Sequence, residues 1–209
     1  MEYAISAVIG YLAGGFNPAY LFAKAKGFDI RKKGSGNAGA SNAVLTMGKK
    51  VGVASAVLDI LKTVLVYLLA EHFFVQKTLA GLIAGVSCQL GHIFPLFMHF
   101  RGGKGLACLG GILIAYDWRV FLGLLAVEAV IVLLSDYICF VSITGPFLFA
   151  GVYAVLERDL IGTLILLVPA VVMIFKHIPN LKRIRDGKEV RFSYLWKGKK
   201  ELERVKEET

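Results

Sequence analysis

An all-α integral membrane protein with seven transmembrane helices, N-terminus outside and C-terminus cytoplasmic, is the fold class this sequence predicts. Three observations predict it. Of 209 residues, 56% are hydrophobic, and the mean hydropathy is +0.66, above the usual range of a soluble domain. The apolar residues come in long blocks rather than at the short period of a half-buried helix or strand. Lys and Arg gather in alternate connecting segments, as they do in proteins threaded through a bilayer.

The blocks fall at about 3–23, 51–70, 78–99, 103–116, 119–135, 137–156 and 160–176. A hydrocarbon core about 30 Å thick requires roughly 20 apolar residues per helix. The first block is too long for a signal peptide and lacks the small-residue cleavage pattern, so it reads as a retained helix. The fourth is short, about 21 Å at 1.5 Å per residue. Its glycine-rich start is expected to be buried in protein or to line a wet cavity. One membrane domain is expected over 1–191. The charged tail 192–209 is expected to lie on the membrane surface or to fray, with Phe192, Tyr194, Leu195 and Trp196 as interfacial anchors.

Orientation follows from charge. Residues 24–50 carry seven Lys and Arg, 101–104 two and 176–209 eleven, whereas the segments near 71–77, 117–119 and 157–159 carry one each. The rich segments face the cytoplasm by the positive-inside rule. The net charge of +9 is this asymmetry, and it does not call for a nucleic-acid partner. Cys88, Cys108 and Cys139 lie in apolar blocks without paired spacing, so they read as small packing residues, with no disulfide or metal pattern.

The most informative stretch is Gly34-Ser35-Gly36-Asn37-Ala38-Gly39-Ala40-Ser41-Asn42, flanked by Lys32, Lys33, Lys49 and Lys50. Three glycines, two serines and two asparagines make a poor helix. They make a backbone able to turn N–H groups around an anion. Arg101-Gly102-Gly103-Lys104-Gly105 repeats the theme where another apolar block stops, although it lacks the full P-loop pattern. Both loops fall on the cytoplasmic side. A phosphate-bearing substrate handled at the bilayer surface is the chemistry this implies. Within the blocks, Asp59 and Lys62 are three apart and read as a structural ion pair. Glu128 has no partner in sequence, and His92 reads as a packing residue. His177 and Asn180 follow the last block at the level of the glycine loops. An imidazole there can bind phosphate or take a proton.

Taken together, these residues resemble the bacterial membrane glycerol-3-phosphate acyltransferases that use acyl phosphate as donor. The resemblance rests on GSGNAGASN with Gly48-Lys49-Lys50, on Asp59 and Lys62, and on GHIFPLFMHFRGGKG at 91–105. It continues through Tyr137 and Ser142 to HIPNLKRIRDGKEVRF at 177–192. It implies seven helices, and transfer of a fatty acyl group from acyl phosphate to the 1-hydroxyl of glycerol 3-phosphate. Lysophosphatidic acid and phosphate would be the products. No cofactor, metal, acyl-CoA or covalent acyl-enzyme is implied, nor any obligate protein partner. Localisation would be the inner (plasma) membrane, with the site facing the cytoplasm. Carried over by motif, Ser35, Lys104, His177 and Asn180 are the catalytic residues. Gly34, Gly36, Asn37, Gly39 and Asn42 form a first phosphate cradle, and Gly102, Gly103 and Gly105 a second.

The sequence departs from the family pattern at three places. Leu45 stands where relatives commonly carry a basic residue, leaving Arg31, Lys49 and Lys50 as neighbouring cations. Gly14-Gly15-Phe16-Asn17-Pro18-Ala19 replaces G-S-x-P-x-G, and Cys139 replaces a usual Ser. Two other readings fit the residues: an acyltransferase of this fold for another acceptor, and a non-catalytic membrane protein that binds or transports an anion or lipid headgroup. Transport would need a polar path across the bilayer, for which Asp59, Lys62 and Glu128 are the only good candidates. Loops on one side favour an enzyme.

Overall fold

The structure is a computed structural model that describes residues 1–76 and 78–193. The described residues contain nine α-helices and two short 3-10 turns, and no strand. The helices are α1 (Glu2–Gly15), α2 (Pro18–Ala25), α3 (Ala40–Met47), α4 (Lys49–Phe73), α5 (Ala80–Ile93), α6 (Leu106–Tyr116), α7 (Trp118–Ser135), α8 (Cys139–Glu157) and α9 (Leu160–Arg185). They fall into two compact units, Met1–Phe121 and Leu122 onward, with the boundary inside α7.

Among the described residues, six stretches are long and apolar enough to cross a membrane: Glu2–Ala25, Lys49–Phe73, Ala80–Met98, Trp118–Ser135, Cys139–Glu157 and Leu160–Arg185. The block expected at 103–116 becomes α6, of 11 residues. It rises only about 16 Å, because residues 101–104 stay irregular. The first block is two helices rather than one. Pro18 starts α2 at its first position, where a missing N–H costs nothing, and Phe16 and Asn17 are extended. The last block runs nine residues past its expected end at 176, to Arg185, and takes His177 and Asn180 into the helix. Tyr194, Leu195 and Trp196 lie outside the described residues.

In the first unit, α1 and α5 cross with backbones touching. A Cβ on Gly10 would overlap the Ala84 carbonyl, one on Gly14 the Cys88 carbonyl, and one on Gly91 the Tyr11 carbonyl. Small residues spaced four apart allow this approach, and dispersion then holds helices that have little hydrophobic reason to associate in lipid. Tyr11 Oη also donates to the Phe94 carbonyl at 2.6 Å. Gly14→Val is expected to destabilise the protein by about 3 kcal/mol, since backbone cannot yield to the new methyls. Thermal unfolding in detergent reads this as a lowered Tm, with Gly123→Ala, which meets nothing within 4 Å, as the neutral control. In the second unit, α8 packs on α9. Thr144 Oγ1 donates to Glu128 Oε1 and Oε2 at 2.8 and 2.9 Å, which supplies the partner that Glu128 lacked in sequence.

Candidate active site

The first glycine loop is shaped by Asn42. Its amide is wholly buried, and its Oδ1 accepts from the Ser35 amide at 2.9 Å. Its Nδ2 donates to the carbonyls of Ile30, Lys33 and Asn37 at 3.1, 3.0 and 2.9 Å. Gly34 and Gly36 turn the chain with φ of 57° and 73°, which glycine adopts without strain. The loop rests on a small core of Ala19, Ala23, Ile30, Ala38, Ala43 and Met98. Asn17 pins it from α2, donating from Nδ2 to the Ala38 carbonyl at 2.9 Å while Oδ1 caps the Tyr20 amide.

Arg31 is committed to this frame and is no substitute for a guanidinium at Leu45. It donates from Nη2 to Asp29 Oδ2 at 2.7 Å and from Nη1 to the Met98 carbonyl at 2.7 Å, and it lies over the Tyr20 ring. The Arg31 hydrogen bond holds the Asp29 carboxyl down at about 2. Its contribution to the loop is therefore full above the ordinary carboxylate range and is lost only as pH falls through about 2.

The second loop leaves α5 through a 3-10 turn at Leu96–Met98. It doubles back so that the Gly102 amide donates to the Ile93 carbonyl at 3.2 Å and the Gly103 amide to the His92 carbonyl at 3.0 Å. A Cβ on Gly103 would overlap the His92 ring. Gly105 has φ of 89° and caps α6 without a side chain. Gly39 likewise begins α3 with no side-chain cap.

Each glycine-rich loop thus runs into a helix start whose first N–H groups have no intrahelical partner. Such a start carries partial positive charge and suits an anion. Lys104 stands immediately before one. Exposed Ser35 and half-buried Asn37 precede the other. The amides of Ser35, Gly36, Gly102 and Gly103 serve the loops' own paths, since Gly36 donates to the Lys33 carbonyl. The donors suited to phosphate are therefore the helix starts and the side chains.

Between the loops lies a buried polar cluster. Asp59 and Lys62 form the expected pair, with Nζ at 2.7 Å from Oδ1, an ion pair rather than a well-angled hydrogen bond. Lys62 also donates to the carbonyls of Gly14 at 3.1 Å and Phe16 at 2.5 Å. His92, expected only to pack, joins them, with Nδ1 at 3.2 Å from both Asp59 Oδ1 and Lys62 Nζ. Asp59, His92 and Cys108 bring ligand atoms within 4.8 Å of one another. The Lys62 ammonium already supplies the positive charge there, so the trio makes a poor cation site.

His177 and Asn180 belong to the second unit, on α9. His177 Nδ1 lies 2.7 Å from the Met173 carbonyl. A carbonyl only accepts, so Nδ1 carries the hydrogen, and in the neutral ring Nε2 is the basic nitrogen. Asn180 Nδ2 donates to Glu189 Oε1, and Arg183 Nε to Glu189 Oε2, each at 2.6 Å. The chain folds back to make this bridge at Gly187, φ 72°, and docks Ser193 on Asp136 through amide and hydroxyl at 2.7 and 2.8 Å.

Sequence reasoning missed the roles of Asn17, His92 and Glu189. Asn17 before Pro18 is a helix-start signal that could have been read. The other two depend on tertiary contacts.

A helical membrane protein with two basic glycine loops, each leading into an uncapped helix start, belongs to the class that handles anionic substrates at a bilayer. The family model for glycerol-3-phosphate acyltransferase matches residues 4–187, and the chain belongs to that family. It is 35% identical over 190 residues to a glycerol-3-phosphate acyltransferase of Thermoanaerobacter sp. (strain X514), covering 90% of this chain and 95% of that one. A glycerol-3-phosphate acyltransferase of Bacillus subtilis (strain 168) is 34% identical over 197 residues, covering 93% and 100%. Among solved structures, PlsY (YgiH), an integral membrane glycerol 3-phosphate acyltransferase in its glycerol 3-phosphate form, superposes with a TM-score of 0.84 at 32% identity. The match covers 93% of this chain and 98% of that chain. The lysophosphatidic acid form gives 0.81 at 31% identity, covering 93% and 97%.

Proposed function

We propose that this protein transfers a fatty acyl group from acyl phosphate to the 1-hydroxyl of glycerol 3-phosphate, the opening step of phospholipid synthesis. The observation that carries this reading is the pair of glycine loops feeding uncapped helix starts, two anion sites for a reaction that joins two anions. The hydroxyl oxygen attacks the acyl carbonyl carbon, the bond from that carbon to the phosphate oxygen breaks, and phosphate leaves. The anhydride is already activated, so positioning and charge neutralisation supply most of the rate.

Ser35 and Asn37, with the start of α3, serve the first phosphate, while Gly34, Gly36, Gly39 and Asn42 shape that cradle. Lys104 and the start of α6 serve the second, shaped by Gly102, Gly103 and Gly105. Asn180 orients substrate. The hydroxyl proton goes to His177 Nε2 or to a substrate phosphate oxygen. The catalytic domain is 1–191 and the tail 192–209. Seven helices, with α6 as the shortened one, put the N-terminus outside and both loops on the cytoplasmic face of the cell membrane, in keeping with where Lys and Arg fall. No obligate protein partner is needed for this chemistry.

Purified protein in detergent or lipid, given palmitoyl phosphate and glycerol 3-phosphate, is expected to release phosphate only with acceptor present and to form lysophosphatidic acid. Absence of turnover in folded protein would overturn the reading. The partly exposed Leu45 favours a second arm, in which another phosphorylated acceptor is used. If glycerol 3-phosphate is the acceptor, Leu45→Arg should lower its KM about tenfold, the value of one charge-assisted hydrogen bond. An unchanged or raised KM would count against a phosphate at that position.

A further inference from the structure

We propose that Asp59, Lys62 and His92 form a positioning element that fixes the two glycine loops relative to each other. The inference rests on the functional reading above for its kinetic consequence, though not for its structural one. Lys62 reaches in two directions from α4. On one side it holds the carbonyls of Gly14 and Phe16, at the end of a helix that has no basic residue in its own last turn. Those carbonyls border Asn17, whose amide holds Ala38 in the first loop. On the other side Lys62 pairs with Asp59, and Asp59 faces His92 Nδ1. The carbonyl of His92 binds the Gly103 amide, and its ring covers Gly103 so closely that only glycine fits.

The path from Ala38 to Gly103 therefore runs through Asn17, the α1–α2 break, Lys62, Asp59 and His92, all within the first unit. Asp59 and His92 are 1% and 3% exposed. Removing one charge of a buried pair costs far more than removing both, so the arrangement resists small displacement. A transfer between two bound anions needs this, because an error of about 1 Å in their alignment can cost a hundredfold in rate.

Two variants test the proposal. Asp59→Asn/Lys62→Met removes both charges together, and His92→Gln keeps a hydrogen-bonding side chain while uncovering Gly103. Deuterium exchange of the whole protein in detergent is expected to quicken about tenfold in both 34–42 and 101–105, with 160–175 unchanged. With palmitoyl phosphate and glycerol 3-phosphate, kcat should fall about a hundredfold while each KM stays within about threefold, because each loop still binds its own anion.

Unchanged exchange, or quickening in one loop alone, overturns the proposal. So does uniform quickening or failure to fold in both variants, which would make the cluster merely structural. Should the double variant alone not fold, His92→Gln decides. If wild-type protein turns over neither substrate, the functional reading fails, and the exchange result still judges the positioning role.

Discussion

Lys104→Ala is expected to lower kcat/KM by a hundredfold to about a thousandfold, the usual cost of losing one preorganised charge-stabilising donor. The magnitude follows from where the lysine stands. The preceding residue, Gly103, is locked by its amide to the His92 carbonyl and by the His92 ring above it. The following residue, Gly105, turns the chain into α6. The side chain therefore leaves a fixed backbone, one residue before the Gly105 that opens α6, and a helix start carries partial positive charge. Without it, two phosphates must approach with one point charge fewer.

Part of the loss should appear as a raised KM for one of the two phosphate-bearing substrates, and part as lowered kcat. Lys104→Arg, which keeps the charge and changes its geometry, should recover a fraction of the rate. Steady-state kinetics with each substrate varied in turn read this directly. Wild-type constants in Lys104→Ala would remove the residue from the site.

Much of this arrangement is legible in the chain. Apolar blocks mark the long helices, because lipid demands continuous hydrophobicity and leaves little else to disguise it. The glycine loops stand out, because residues unfit for a membrane helix interrupt blocks that otherwise fit it. The Asp59–Lys62 pair follows from helical spacing. What stays hidden is whatever depends on the third dimension. His92 looks like any histidine near a helix end until α4 brings Asp59 and Lys62 to its ring.

The close crossing of α1 and α5 is written in Gly10, Gly14 and Gly91, yet glycines in apolar runs do not name their partner. The end of α9 is misplaced in sequence because charge in Lys176 and His177 reads as a boundary. Pro179 sharpens that impression, yet packing carries the helix on to Arg185. Asn42 stands out for the right reason, its place in the loop, but its amide faces inward to the backbone rather than outward.

Asn42→Asp is accordingly expected to be among the most damaging single-atom-scale changes in the protein. The asparagine amide serves four backbone groups at once, accepting from Ser35 and donating to Ile30, Lys33 and Asn37. An ionised aspartate keeps the one acceptor and has no donors. Three carbonyl oxygens then face a buried carboxylate oxygen instead of an N–H group. Each lost hydrogen bond is worth about 1 kcal/mol, and leaving its partner buried and unsatisfied costs about 1–3 kcal/mol.

A total near 3 kcal/mol or more should lower Tm clearly and unmake the first cradle, with activity reduced at least about a hundredfold. Ser35→Ala is the discriminating control. It keeps the amide that Asn42 accepts from and removes only the exposed hydroxyl, so Tm should hold while activity falls. If Asn42→Asp instead left Tm and kcat at their wild-type values, the loop would be held by something other than this side chain. If Ser35→Ala lowered Tm as far as Asn42→Asp, shape and chemistry in the first cradle would be inseparable, and a direct contact between Ser35 and substrate would lose its support.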